Sequence, residues 1–123
     1  MKVTTEYMEE TTAAMVAAGF SCEHERLAKR RDEMLVYEGH QWTLTRGPEV
    51  TLELQALRYP AGAERFYLRI VDYHGIESFS FELDSWKHWP DRVEFKYYPH
   101  PESGRGLSFK LWLHRRDTPS SPS

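Results

Sequence analysis

"RFYLRIVDYHGIESFSFEL" (residues 65–83) is the stretch on which the fold turns. Apolar and polar residues alternate on both sides of His74-Gly75, which is the period of a half-buried strand and not of a helix. With His74 and Gly75 as a two-residue hairpin turn, Tyr73 faces Ile76. Phe66 then opposes Leu83, Leu68 opposes Phe81, and Ile70 opposes Phe79. All of these large apolar side chains point to one side of the hairpin, so that side is core.

The same period extends outward from this hairpin. Upstream, "MLVYE", "QWTLTR" and "EVTLELQALR" read as strands; downstream, "RVEFKYY" and "LSFKLWLH" do. Glu38-Gly39-His40, Arg46-Gly47-Pro48, Pro60-Ala61-Gly62 and Ser103-Gly104-Arg105-Gly106 carry turn chemistry between them. Short separators between consecutive strands build hairpins, hence an antiparallel meander. Val50, Leu52, Leu54, Ala56, Val93, Phe95 and Tyr97 extend the core face, as do Leu107, Phe109, Leu111 and Leu113 of the last strand.

The N-terminal segment has the other period. "TTEYMEETTAAMVAAGF" (residues 4–20) puts Tyr7, Thr11, Ala14 and Ala18 on one helical stripe, with Met8 and Met15 beside them. Thr4 or Thr5 caps its start, Gly19 ends it, and Phe20 can fold back on the last turn. Residues 21–33 fit two readings, a second helix capped by Ser21 or a strand followed by a charged turn, because only Leu27 is strongly apolar. The expected fold is α+β, with one helix or two packed on one face of a five- to seven-stranded antiparallel meander. Residues 1–116 form one domain, and the Ser/Pro-rich residues 117–123 read as a disordered tail.

Composition narrows the function classes. Net charge is −3, all of it carried by residues 1–40, and no basic excess marks a dedicated nucleic-acid binder. Cys22 is the single cysteine, so no internal disulfide forms. The start has no apolar leader, and no apolar run approaches the roughly 18 residues of a membrane span. A cytoplasmic protein with no membrane association is the simplest expectation. The histidines show no HxxxH, HExxH or Cys/His spacing, so no metal is expected. No GxSxG, Walker or GxGxxG motif assigns a catalytic residue or a cofactor.

The surface is more informative. Aromatic residues make up 14% of the chain, more ring area than a core this small needs. The face opposite the core presents Tyr67, Arg69 and Tyr73 on the central strand. On the last hairpin it presents Arg92, Tyr98, Lys110, Trp112 and Arg116. "SWKHWPDR" (residues 85–92) reads as a helical turn capped by Asp84 or Ser85, placing Trp86 and Trp89 on one side as a core plug or as anchors. Trp, Tyr and Arg are the side chains most enriched in binding hot spots. These residues therefore point to a small, non-enzymatic module that occludes a partner protein's functional site. Small inhibitors, adaptors and immunity-type proteins, phage-encoded ones included, share that profile. Exposed strand edges would also allow pairing into a homodimer. Two alternatives compete: a ligand or hydrolytic pocket between helix and sheet using Asp72, His74, Glu77 and His88, and single-stranded nucleic acid stacked on Tyr67, Tyr98 and Trp112.

Overall fold

Both ends of the first helix are written in its own sequence. In the computed structural model, which describes residues 4–47, 50–60, 62, 64–71, 78–100 and 105–113, α1 spans Thr5–Ala17. Thr4 Oγ1 accepts the Tyr7 N–H at 3.0 Å, satisfying one orphan donor of the first turn. At the far end Gly19 takes φ +107°. Its N–H bonds the Val16 carbonyl and the Phe20 N–H bonds the Met15 carbonyl, which folds the buried Phe20 ring back under the helix. The buried stripe is Met8, Thr11, Thr12 and Met15, with Tyr7 and Ala18 packed at its margins. It is thus centred on the methionines and threonines, not on the Tyr7–Ala18 line expected from sequence.

Residues 21–33 form no second helix. They make β1 (Ser21–Arg31), and a tight turn at Asp32-Glu33, both with positive φ, returns the chain into β2 (Met34–Arg46). That turn is the mirror-type geometry that matches strand twist. Glu38-Gly39-His40 is not a turn, as the sequence had suggested, but the middle of β2. A Cβ on Gly39 would lie 1.9 Å from the Ala56 carbonyl oxygen on the neighbouring strand. Glycine here marks close backbone approach, which is its other meaning inside a strand.

β3 (Val50–Arg58), β4 (Glu64–Val71) and β5 (Ser78–Leu83) complete a five-stranded antiparallel sheet in the order β1-β2-β3-β4-β5. The register of the β4–β5 hairpin is the one derived above: Phe66 faces Leu83, Leu68 faces Phe81, and Ile70 faces Phe79. The turn residues His74 and Gly75 lie outside the described residues.

A bend at Asp84 then carries the chain into a second sheet. Its strands are β6 (Ser85–His88), β7 (Arg92–His100) and β8 (Arg105–Trp112). "SWKH" is therefore a strand and not a helical turn. The Asp84 N–H donates to the Lys96 carbonyl at 2.9 Å, so the corner is tied to β7 as it forms. Trp89, Pro90 and Asp91 link β6 to β7; the Trp89 N–H bonds the Arg92 carbonyl, and Pro90 is pre-set for the first corner position between them. The fold is α+β, as expected, with the meander broken into sheets of five and three strands.

Both sheets turn their apolar faces toward α1. Trp42, Leu44, Leu52, Leu54, Phe66, Leu68 and Leu83 of the first sheet share one core with Trp86, Val93, Phe95 and Leu111 of the second, and with Leu113 just beyond β8. Leu107 does not join it, being 52% exposed. Arg46 at the end of β2 closes the arrangement. Its guanidinium donates to the Leu113 carbonyl at 2.6 Å and the Trp112 carbonyl at 3.1 Å, and lies 4.5 Å above the Phe20 ring. One side chain thus links the first sheet, the end of the second and the helix cap.

Candidate functional site

The outward face of the second sheet is set by strand alternation and three facing rows. Trp89 meets Arg92 across the Pro90-Asp91 turn, and Arg92 faces Trp112 on β8. Lys87 faces Glu94, which faces Lys110. Ser85 faces Lys96, which faces Ser108. Trp86, Val93, Phe95 and Leu111 take the alternate positions and are buried. Four cations and two tryptophans therefore occupy one small surface because their sequence neighbours are needed in the core.

The Arg92 guanidinium carbon sits 4.1 Å from the Trp89 ring centroid, and the Lys87 ammonium 5.0 Å from the same ring. Two cations on one indole hold that ring in place by the attraction of its electron-rich face. Asp91 bonds Arg92 at 3.0 Å. Glu94 is shared by Lys96 at 3.7 Å and Lys110 at 4.0 Å. Among the described residues of these three rows and their turn, Lys87, Arg92, Lys96 and Lys110 meet Asp91 and Glu94, a local excess of two positive charges. A shallow groove lined by Lys87, Trp89, Arg92, Glu94 and Lys96 runs along the β6–β7 side. Trp112 remains 36% exposed at its other margin.

The residues singled out from sequence divide between places. Trp89, Lys110 and Trp112 gather on this face. Trp86 does not: it is 3% exposed, and its indole N–H donates to Thr11 Oγ1 at 3.0 Å. In a strand, positions three apart point to opposite sides, so Trp86 plugs the core while Trp89 faces out. Tyr67 and Arg69 lie on the outer face of the first sheet. Arg69 pairs with Glu53 at 3.2 Å, and Tyr67 interacts with Tyr59 and Arg65, raising the pKa of both. Tyr98 belongs to β7, but its side chain falls outside the described ones. Tyr73 and Arg116 also lie outside the described residues. Lys87 was missed because the reading of "SWKHWPDR" as a helical turn hid its alternation.

The pocket alternative meets a different set of residues. His88 is tied to the helix: its Nδ1 lies 3.1 Å from Thr11 Oγ1, its backbone N–H donates to the Tyr7 hydroxyl at 2.9 Å, and its ring stacks on Tyr7. Thr11 Oγ1 also donates to the Tyr7 carbonyl at 2.8 Å, which uses its only hydrogen. Both Trp86 Nε1–H and His88 Nδ1–H then donate into Thr11, which fills both its lone pairs. Asp72, His74 and Glu77 lie outside the described residues. A polar cavity of about 320 Å³ does open between α1 and the first sheet, lined among others by Glu6, Arg26, Glu38, His40, Arg58 and Glu64. Burial and Glu23 push the Cys22 thiol pKa up, the opposite of what the surroundings of a nucleophilic cysteine do.

No helix among the described residues is long and apolar enough to cross a membrane. Comparison with family models, curated proteins and solved structures returns no match to this chain.

Proposed function

We propose that this protein is a non-enzymatic binding module that docks an acidic, partly apolar segment of a partner protein on the outer face of β6–β8. The observation that carries the reading is the Trp89–Arg92–Trp112 row, flanked by Lys87, Lys96 and Lys110. Rigid aromatic rings with an arginine between them are the anchors most often found in energetic hot spots. Arg92 and Trp112 are held on strands, and Trp89 is held by its backbone bond to Arg92 and by two cations on its ring, so less of the contact energy is spent on ordering. The local positive excess steers an acidic partner on a chain whose net charge is −3. Occlusion of the partner's functional site, as inhibitors and immunity-type proteins do, is the corresponding mechanism, in a reducing cytoplasm that suits the lone Cys22.

Self-association through strand edges is the weaker reading. β1 is an outer strand of its sheet, and Glu23, Glu25, Lys29, Arg30 and Arg31 charge it along its length, which opposes edge pairing. Single-stranded nucleic acid is weaker too, since Asp91 and Glu94 would face its phosphates.

Nitrogen–proton NMR titration with two probes tests the reading: a short Asp/Glu peptide containing Leu and Phe, and an oligothymidylate of equal charge. The peptide should shift the indole N–H signals of Trp89 and Trp112, and Arg92→Glu and Lys110→Glu should abolish the response. Arg69→Glu, on the other sheet, should leave it intact. A response to the oligonucleotide alone, falling steeply with salt, would replace the protein-docking reading with the nucleic-acid one.

A further inference from the structure

Two histidines used by neither the docking face nor the Thr11 network meet on β1 and β2. His24 faces Trp42 and His40 faces Arg26, which makes the two histidines diagonal cross-strand neighbours. Their rings stack with centroids 5.0 Å apart and 20° between planes, and His24 Nε2 lies 2.8 Å from His40 Nδ1 in an exposed contact. The Trp42 indole stacks on both rings, at 5.4 and 5.6 Å, and is itself only 4% exposed. A buried indole thus forms a fixed floor beneath two accessible imidazoles.

A neutral imidazole carries one N–H, so in this pair one ring donates to the other. Moving that hydrogen to the far nitrogen of the same ring leaves both facing nitrogens with free lone pairs, and it requires only a change of tautomer. Two nitrogens about 2.0 Å from an ion are about 2.8 Å apart at the right angle of square-planar or octahedral geometry, but about 3.3 Å apart at the tetrahedral angle. The spacing that the hydrogen bond between the rings already holds is compatible with the right angle and short for the tetrahedral one.

We propose that His24 and His40 form a two-nitrogen site for a divalent late first-row transition ion, Cu²⁺ or Ni²⁺, with its remaining positions taken by water or by an external ligand. Among the described residues no third His, Cys, Asp or Glu joins them in a metal-holding group, so the described residues supply these two ligands. Glu9 on α1 lies near enough to His40 to act on its charge. The same Glu9 carboxylate offsets part of an incoming ion's charge.

The test uses the tag-free full chain, titrated with nickel chloride or copper sulfate by calorimetry at pH 7.5, with electron paramagnetic resonance of the copper form. One ion per chain, hyperfine structure from two nitrogens and quenched tryptophan emission are expected. His24→Gln and His40→Gln should each lose the saturable binding while keeping the wild-type circular dichroism. His114→Gln should retain it. Lowering the pH to 5.5 should release the ion from the wild-type protein, an arm that requires no variant to fold. Absence of saturable binding, or binding that survives in both His24→Gln and His40→Gln, would overturn the site.

Discussion

The two sheets are built on one rule and end with different outer faces. In each, alternate residues enter the shared core and their neighbours face out. On the first sheet the outward residues answer one another. Gln55 donates to Gln41 at 2.7 Å and Gln41 to Glu25 at 3.2 Å, while Arg69 pairs with Glu53 and Arg65 with Glu82. On the second sheet four cations share two acids, and two indoles flank an arginine. Alternation decides which side chains face out. Cross-strand complementarity decides how evenly the charges on that face are matched.

The largest expected effect separates the tryptophans of the second sheet. Trp86→Ala removes a core ring and one of the two donors to Thr11 Oγ1, and should cost about 3–5 kcal/mol in urea unfolding. Trp112→Ala, at the exposed face, should cost less than half as much and should lose the acidic-peptide response. Equal costs would make Trp112 a core residue and remove the contrast between the faces.

The next test asks whether the first sheet is held by backbone approach as well as by side-chain packing. Gly39→Ala drives a Cβ into the Ala56 carbonyl, and β3 has no flexible side chain there to yield. A loss of about 1–3 kcal/mol is expected, as for other overpacked sites. The second sheet has no such glycine among its described core positions. Its tie to the helix is polar: Thr11→Val leaves Trp86 Nε1 and His88 Nδ1 without their acceptor, at about 1–3 kcal/mol for the buried donors. A neutral Thr11→Val would mean that water or a shifted ring replaces the hydroxyl.

These examples also mark how far the sequence could be read. The β4–β5 register followed from turn chemistry and a period of two, because a one-residue slip would turn every apolar side chain to solvent. The helix cap was legible at Gly19 and Phe20 because it depends on local residues alone. Gly39 was misread as a turn because its role depends on Ala56, a contact distant in sequence. "SWKH" was misread because four residues are too few to show a period, and Pro90 suits the end of a helical turn as well as a hairpin. The His24–His40 contact was out of reach while residues 21–33 could be helix or strand. Without the β1–β2 register, nothing brings those two residues together.

The smallest effect tests the comparison most directly. Arg69→Ala and Arg92→Ala each remove one outward arginine and one ion pair, with Glu53 and with Asp91. Both pairs are open to solvent, so each substitution should change stability by only about 0–1 kcal/mol. Function should separate them. Loss of Arg69 leaves a charge-matched face slightly less matched, whereas loss of Arg92 frees the Trp89 ring and removes the central cation of the docking row. Loss of peptide response in Arg92→Ala, but not in Arg69→Ala, would locate the difference between the sheets in the Trp89–Arg92–Trp112 row and not in total charge, because both variants change the net charge equally.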